Sequence, residues 1–237
     1  MQIPPSGLGQ DATAIMRKIS PGLQPMEIQA LDEAFKTAGG LAYAIQGLKP
    51  AATCGIDDLA ATALKRIAGD KLYMASLGPD LFLPQTDYLV IHAAQCRSII
   101  QADLEGYRKI YPSASNADDV LGLIEQNPAP LMNDHRLLGS LLGYGPQNSA
   151  LYQQLQSTPR GLLHEQFERR LGTVKIGQNS AFGEKPLGII FRADMQSEET
   201  QRLITHYQQA FQKTESILRD PKGVFRLIES LASPPRQ

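Results

Sequence analysis

The sequence predicts an α+β fold, predominantly helical, with a small antiparallel sheet or hairpin in the C-terminal half. Three observations carry this expectation. Apolar residues recur at spacings of three and four through most of the chain, as at Ile28, Leu31 and Phe35 or at Leu203, Tyr207 and Phe211. Glycine (20 residues) and proline (16) fall between those stretches and close one after another. Signals of the β kind are confined to residues 173–191, where Thr173 to Ile176 alternates and Leu187 to Phe191 is a short β-branched apolar run.

The elements follow in order. Residues 1–10, rich in Pro, Gly and Ser, read as a flexible tail ahead of a single α-rich domain over 11–231. A short helix is expected over 11–19, ended by Ser20-Pro21-Gly22. A second begins near Pro25, where proline suits a first turn, and stops at Gly39-Gly40. Leu41 to Leu48 is short and apolar and is closed by Lys49-Pro50. Ile56 to Ile67 places Asp57 and Asp58 in its first turn and Lys65 and Arg66 in its last, the order a helix dipole favours, with Gly69 behind them. Residues 76–86 read as an irregular connection. A long helix is expected from Asp87 to Ile110, with Tyr88, Ile91, Gln95, Ile99 and Ala102 on one stripe.

Ser115-Asn116-Ala117-Asp118 is a capping sequence ahead of Val120, Leu121 and Ile124, and Asn127-Pro128-Ala129-Pro130 ends that helix. Asp134 to Gly143 forms the next one. The turn Tyr144-Gly145-Pro146 leads into another, past Leu151 and Leu155 to Thr158-Pro159. Thr173 to Ile176 and Leu187 to Phe191 are the two strands of the expected hairpin. Asp194 or Ser197 caps a long helix with Leu203, Tyr207, Phe211, Thr214 and Leu218 on its face. A short helix over residues 223–231 precedes a tail at 232–237.

Composition excludes several classes. At 42% hydrophobic and 20% charged residues, the chain has ordinary globular usage rather than that of a disordered or fibrous protein. A formal charge of −1, from 23 basic and 24 acidic residues, lacks the footprint of a nucleic-acid binder. No signal peptide opens the chain and no apolar run is long enough to span a bilayer, so a cytoplasmic location is the default, with secretion by a non-standard route also compatible. Two cysteines are too few for a disulfide framework or a structural zinc site. No metal site or cofactor is expected.

The most distinctive segment is His135 to Asn148, HRLLGSLLGYGPQN. A glycine-rich turn before a helix can hold a phosphate on free backbone N–H groups, but the spacing matches neither established phosphate-binding pattern, and Pro146 removes a donor. The competing reading is structural: Gly139 and Gly143 let two helices approach, and Gly145 permits a turn with positive φ. If this loop borders a groove, its binding residues are Gly143, Tyr144, Gly145 and Asn148. For nucleophilic chemistry the candidates are Cys54, ahead of a helix whose Asp57 and Asp58 oppose a thiolate, and Cys96, four residues after His92. His92 or His135 would serve as the base. His164-Glu165-Gln166-Phe167-Glu168 lacks the second histidine of a zinc motif and reads as a solvated helix face.

The run Leu137-Leu138-Gly139-Ser140-Leu141-Leu142-Gly143-Tyr144-Gly145, with Asn148 and Ala150, then the strand Leu187 to Phe191 and Glu198-Glu199-Thr200, resembles a family of uncharacterised bacterial proteins. The resemblance covers residues 131–219. It implies a bacterial origin and a shared fold, and it carries over no activity, ligand or catalytic residue.

The function expected from these readings is a non-enzymatic module that binds a protein or small-molecule ligand in a helical groove, with a secreted effector as one setting. The alternative is a cysteine-dependent hydrolase or transferase. A nucleotide binder using the Gly143–Gly145 turn comes third.

Overall fold

The computed structural model describes residues 22–79, 85–177, 181–182, 185–186, 188–220 and 222–232. The tail read at 1–10 and the helix expected over 11–19 lie outside them, as does the tail read at 232–237 except for Ala232, which is the last residue of a helix. Among the described residues the fold is α+β, with twelve α-helices and small antiparallel sheets. None of these helices is long and apolar enough to cross a membrane.

The N-terminal part is a three-layer arrangement. Helices α1 (Pro25–Thr37) and α2 (Gly39–Ile45) lead into β1 (Ala51–Ile56), and α3 (Asp58–Ala68) leads into β2 (Leu72–Pro79) and β3 (Thr86–His92). The strand order is β1-β3-β2, with β3 antiparallel to both neighbours. Side chains alternate across this sheet. Ala52, Cys54, Ile56, Met74 and Val90 face one core with α1, α3 and the C-terminal helix α12 (Gly223–Ala232). Ala51, Ala75, Leu89 and Ile91 face a second core, built with α4 (Ala93–Ala102), α5 (Leu104–Ile110), α6 (Ala117–Gln126), α7 (Ala129–Met132) and α8 (His135–Leu141).

This sheet corrects the reading of Asp87 to Ile110 as one helix. Leu89, Val90 and Ile91 are all fully buried. A central strand covered on both faces shows an unbroken apolar run rather than alternation, and so it merges in sequence with the helix behind it. The helical part itself is broken at Asp103, whose carboxylate accepts from Gly106 N and caps α5. The connection expected over 76–86 begins later than read, since β2 continues to Pro79.

The C-terminal part follows the sequence closely. The α8–α9 pair (α9, Pro146–Ser157) crosses at Gly139, where a Cβ would strike the Ser149 side chain. After α10 (Leu162–Arg170), which has no buried residue, come β4 (Leu171–Ile176), the two-residue strands β5 (Ala181–Phe182) and β6 (Lys185–Pro186), and β7 (Ile189–Asp194). Strands β4 and β7 pair antiparallel from Leu171↔Asp194 to Ile176↔Ile189. This is the hairpin expected in that region. The long helix α11 (Glu198–Arg219) is capped by Ser197, whose hydroxyl accepts from Thr200 N at 3.1 Å. Its Tyr207 and Ala210 pack on Val174, Ile189 and Phe191 in a third core that also holds Tyr43.

Candidate functional site

Gly143 (φ +79°) and Gly145 (φ +87°) turn the chain sharply between α8 and α9. Neither position has room for a side chain: a Cβ on Gly143 would meet the Tyr207 hydroxyl and Pro50, and one on Gly145 would meet the Glu199 carboxylate. The turn drives Tyr144 inward, where its ring stacks on Phe191 at 5.1 Å and 7°. Tyr207 holds the loop from below by donating its hydroxyl to Gly143 O at 2.6 Å.

Asn148 locks the other end of the loop. Its side chain is buried and saturated: Nδ2 donates to Tyr144 O and Thr200 Oγ1, both at 3.1 Å, and Oδ1 accepts from Asp194 N at 3.0 Å. One amide thereby joins the glycine loop, the end of β7 and the start of α11. The carboxylate of Glu199 accepts from Asn148 N at 3.0 Å and from Gln147 N at 3.3 Å. The anion-binding N-terminus of α9 is thus filled by the protein's own carboxylate, and Pro146 ahead of it has no N–H to offer.

Two cavities flank the loop. The larger, about 590 Å³, lies between α4, α8 and α11 and includes Gly143 and Gly145 in its wall. Leu48, Ile99, Leu137 and Leu203 supply apolar surface, and Tyr107, Tyr207, Arg136 and His206 supply the polar groups. Those polar groups are already engaged. Arg136 pairs with Asp103, Tyr107 donates to Leu137 O at 3.3 Å, and His206 Nε2 meets Leu48 O at 2.9 Å. The smaller cavity, about 300 Å³, lies on the far side, against Tyr144, Asn148, His135 and β7.

Beneath the loop sits Lys49, only 7% exposed. Its ammonium is 3.4 Å from the Tyr144 hydroxyl and 4.8 Å from the centre of that ring. Loss of hydration pulls its pKa down to about 8, against a small opposing effect from Cys54. Burial raises the Tyr144 and Tyr207 hydroxyls in turn.

Of the four residues read as candidates for nucleophilic chemistry, His92 and Cys96 lie together at the start of α4, where His92 N and Cys96 Sγ both donate to Pro50 O, while Cys54 lies in β1 and His135 in α8. Cys54 is buried in β1, and its thiol is pushed up to about 12 by burial and Asp87, against a lowering by Lys49. Cys96 faces the second core, donates to Pro50 O at 3.2 Å, and is raised by burial. His92 caps α4 by accepting from Gln95 N at 3.4 Å, and burial lowers its pKa, assisted by Lys71. His135 opens α8 and stands edge-on to Tyr152 at 5.5 Å. A nucleophilic thiol needs a depressed pKa and a base beside it, and these environments provide the opposite. Among the described residues, no group of three or more His, Cys, Asp or Glu side chains is placed to hold a metal.

Gly143, Tyr144, Gly145 and Asn148 therefore do converge on one place, two of them on each cavity. Sequence reasoning missed Lys49, Glu199, Thr200 and Arg192. Glu199 and Thr200 follow directly behind the expected cap at Ser197, and nothing local couples them to Asn148, about fifty positions earlier in the chain.

No family model, no curated protein and no solved structure matches this chain.

Proposed function

We propose that this chain is a non-enzymatic binding module whose ligand is a small apolar molecule, held in the 590 Å³ cavity between α4, α8 and α11. The observation that carries this reading is the state of the cavity wall. Its tyrosines, histidine and arginine are tied to backbone carbonyls or to Asp103, so the cavity presents apolar surface and engaged polar groups, not a free acid, base or nucleophile. Such a wall rewards burial of apolar area. The volume suits a ligand of roughly twenty non-hydrogen atoms, taking the space of a water as about 30 Å³ each. Two unpaired thiols fit a reducing cytoplasm, and export by a route that leaves no sequence mark is equally compatible. The resemblance of residues 131–219 supports a bacterial source.

Thermal unfolding in the presence of medium-chain fatty acids and fused-ring hydrocarbons tests the assignment. A ligand that binds the folded state raises the melting temperature with saturable dependence on concentration. Ala102→Phe, at the exposed mouth of the cavity, should abolish the effect while leaving the unliganded melting temperature near that of the wild type. Absence of stabilisation by every probe at millimolar concentration overturns the reading, as does equal stabilisation of the filled variant.

A further inference from the structure

A third cavity, apart from the two beside the glycine loop, is a groove of about 410 Å³ along α1. One wall is Met26, Ala30, Glu33 and Thr37, whose spacings of three and four place them on a single stripe of the helix. Ile56 and Asp57, where β1 gives way to α3, belong to the other. Ile56 is fully buried, but Met26 is 72% exposed, an apolar side chain that nothing covers.

The groove is also acidic. Glu33 and Asp57 line it and no lysine or arginine does. On the same two helices Lys36 is taken by Asp32 and Arg66 by Glu27. Among the described residues no ion pair engages Glu33 or Asp57.

The chain enters α1 at the Met26 end of this groove. Gly22 O accepts from Arg66 Nη2 at 3.3 Å, and the buried Leu23 fixes the entry point. Ahead of it stand residues 11–19, DATAIMRKI, where a helix is expected. Ala12, Ile15, Met16 and Ile19 fall on one stripe of such a helix, and Arg17 and Lys18 are its two cations. Residues 20–24 between the two segments match the usual length of a helix–helix connection, and Pro21-Gly22 suits a reversal. At about 1.5 Å per residue, residues 11–19 reach about 13 Å, and the α1 stripe from Met26 to Thr37 about 16 Å. The four apolar side chains of the segment carry about thirteen non-hydrogen atoms, and the groove holds roughly fourteen at about 30 Å³ each.

We propose that residues 11–19 of the same chain occupy this groove, antiparallel to α1. Their apolar stripe covers Met26 and Ala30, and Arg17 and Lys18 answer Glu33 and Asp57. This segment supplies both things the groove lacks, an apolar cover and a countercharge.

Oxidation of the full chain by dilute hydrogen peroxide, followed as the initial rate at Met26 by peptide mass, tests this. Left uncovered at 72% exposure, Met26 would react nearly as fast as N-acetylmethionine amide. In the wild type it should react about fivefold more slowly or less. Ile15→Glu with Ile19→Glu, which spoils the stripe, should bring the rate close to that of the free residue. Glu33→Lys should speed it about threefold, and adding Lys18→Glu should restore protection. Met74, in the core beneath the sheet, should stay slow in every chain and so reports that the fold is intact. Should a variant expose Met74, the wild-type comparison with the free residue decides alone. The proposal is overturned if wild-type Met26 reacts like the free residue, or if folded Ile15→Glu/Ile19→Glu or Glu33→Lys keeps full protection. It is overturned too if Lys18→Glu fails to restore protection to folded Glu33→Lys, or if protection grows with protein concentration. The last outcome would assign the groove to a second copy of the chain.

Discussion

Lys49 makes a quantitative prediction about stability and pH. Its ammonium is buried under Tyr144, with a long contact to that hydroxyl and a ring face in place of a counter-ion. In the unfolded chain it titrates near 10.5, and in the folded protein near 8. At about 1.36 kcal/mol per tenfold change in proton affinity, holding the charged form in this site costs about 3 kcal/mol. The sign follows from proton binding. Below about pH 8 both states carry the proton and the cost is fully present. Between about pH 8 and 10.5 only the unfolded chain does, so stability gained from this group rises with pH across that window. Lys49→Met removes the cost together with the Tyr144 contacts, themselves worth about 1–2 kcal/mol. Near neutral pH the variant should be more stable than the wild type by about 1–2 kcal/mol. That advantage should shrink by about 3 kcal/mol as the pH passes from below 8 to above 10.5. Urea unfolding followed by circular dichroism at a series of pH values measures both, and taking the difference between the two proteins cancels the tyrosine and cysteine ionisations they share. A difference that stays constant across the window would refute the argument, because it would mean that Lys49 keeps an ordinary proton affinity.

Three further outcomes follow from the loop and the cores. Asn148→Ala should cost about 3 kcal/mol in urea unfolding, since it strands Asp194 N–H and Tyr144 O in a buried site; a loss under about 1 kcal/mol would show that other partners replace the amide. Glu199→Ala should lower stability by about 1 kcal/mol and free the N–H groups of Gln147 and Asn148. Phosphate should then raise the melting temperature of this variant more than that of the wild type at matched ionic strength, and an equal response would count against the carboxylate as the occupant. Cys54, with its thiol near 12 rather than the ordinary 9, should have about a thousandfold less thiolate at neutral pH, so alkylation should proceed only through unfolding; rapid labelling of the folded protein would contradict the burial and reopen the thiol chemistry.

What could be read from the sequence was what neighbours in the chain decide. Asn116 and Ser197 cap helices because a side-chain oxygen reaches a backbone N–H three residues ahead, an interaction contained in a four-residue string. The hairpin was legible in the alternation of Thr173 to Ile176, whose strand has one face exposed and the other buried, and in the β-branched apolar run that ends at Phe191. The glycine loop was visible as well, with the close helix approach at Gly139 and the positive φ at Gly145.

The three-stranded sheet was not visible, because helices cover both of its faces and erase the alternation that would have marked Leu89, Val90 and Ile91 as strand. The loop's chemistry was hidden for a related reason. Whether its N–H groups wait for an anion or already hold Glu199 depends on where α11 comes to rest, and local pattern does not encode packing between segments some fifty residues apart. The same holds for Lys49, a bland lysine before a proline in sequence, whose proton affinity is lowered by the loss of hydration it suffers once tertiary structure buries it beneath the loop. Local hydrogen bonds and solvent exposure write themselves into the residue pattern, while desolvation and long-range pairing exist only once the layers close.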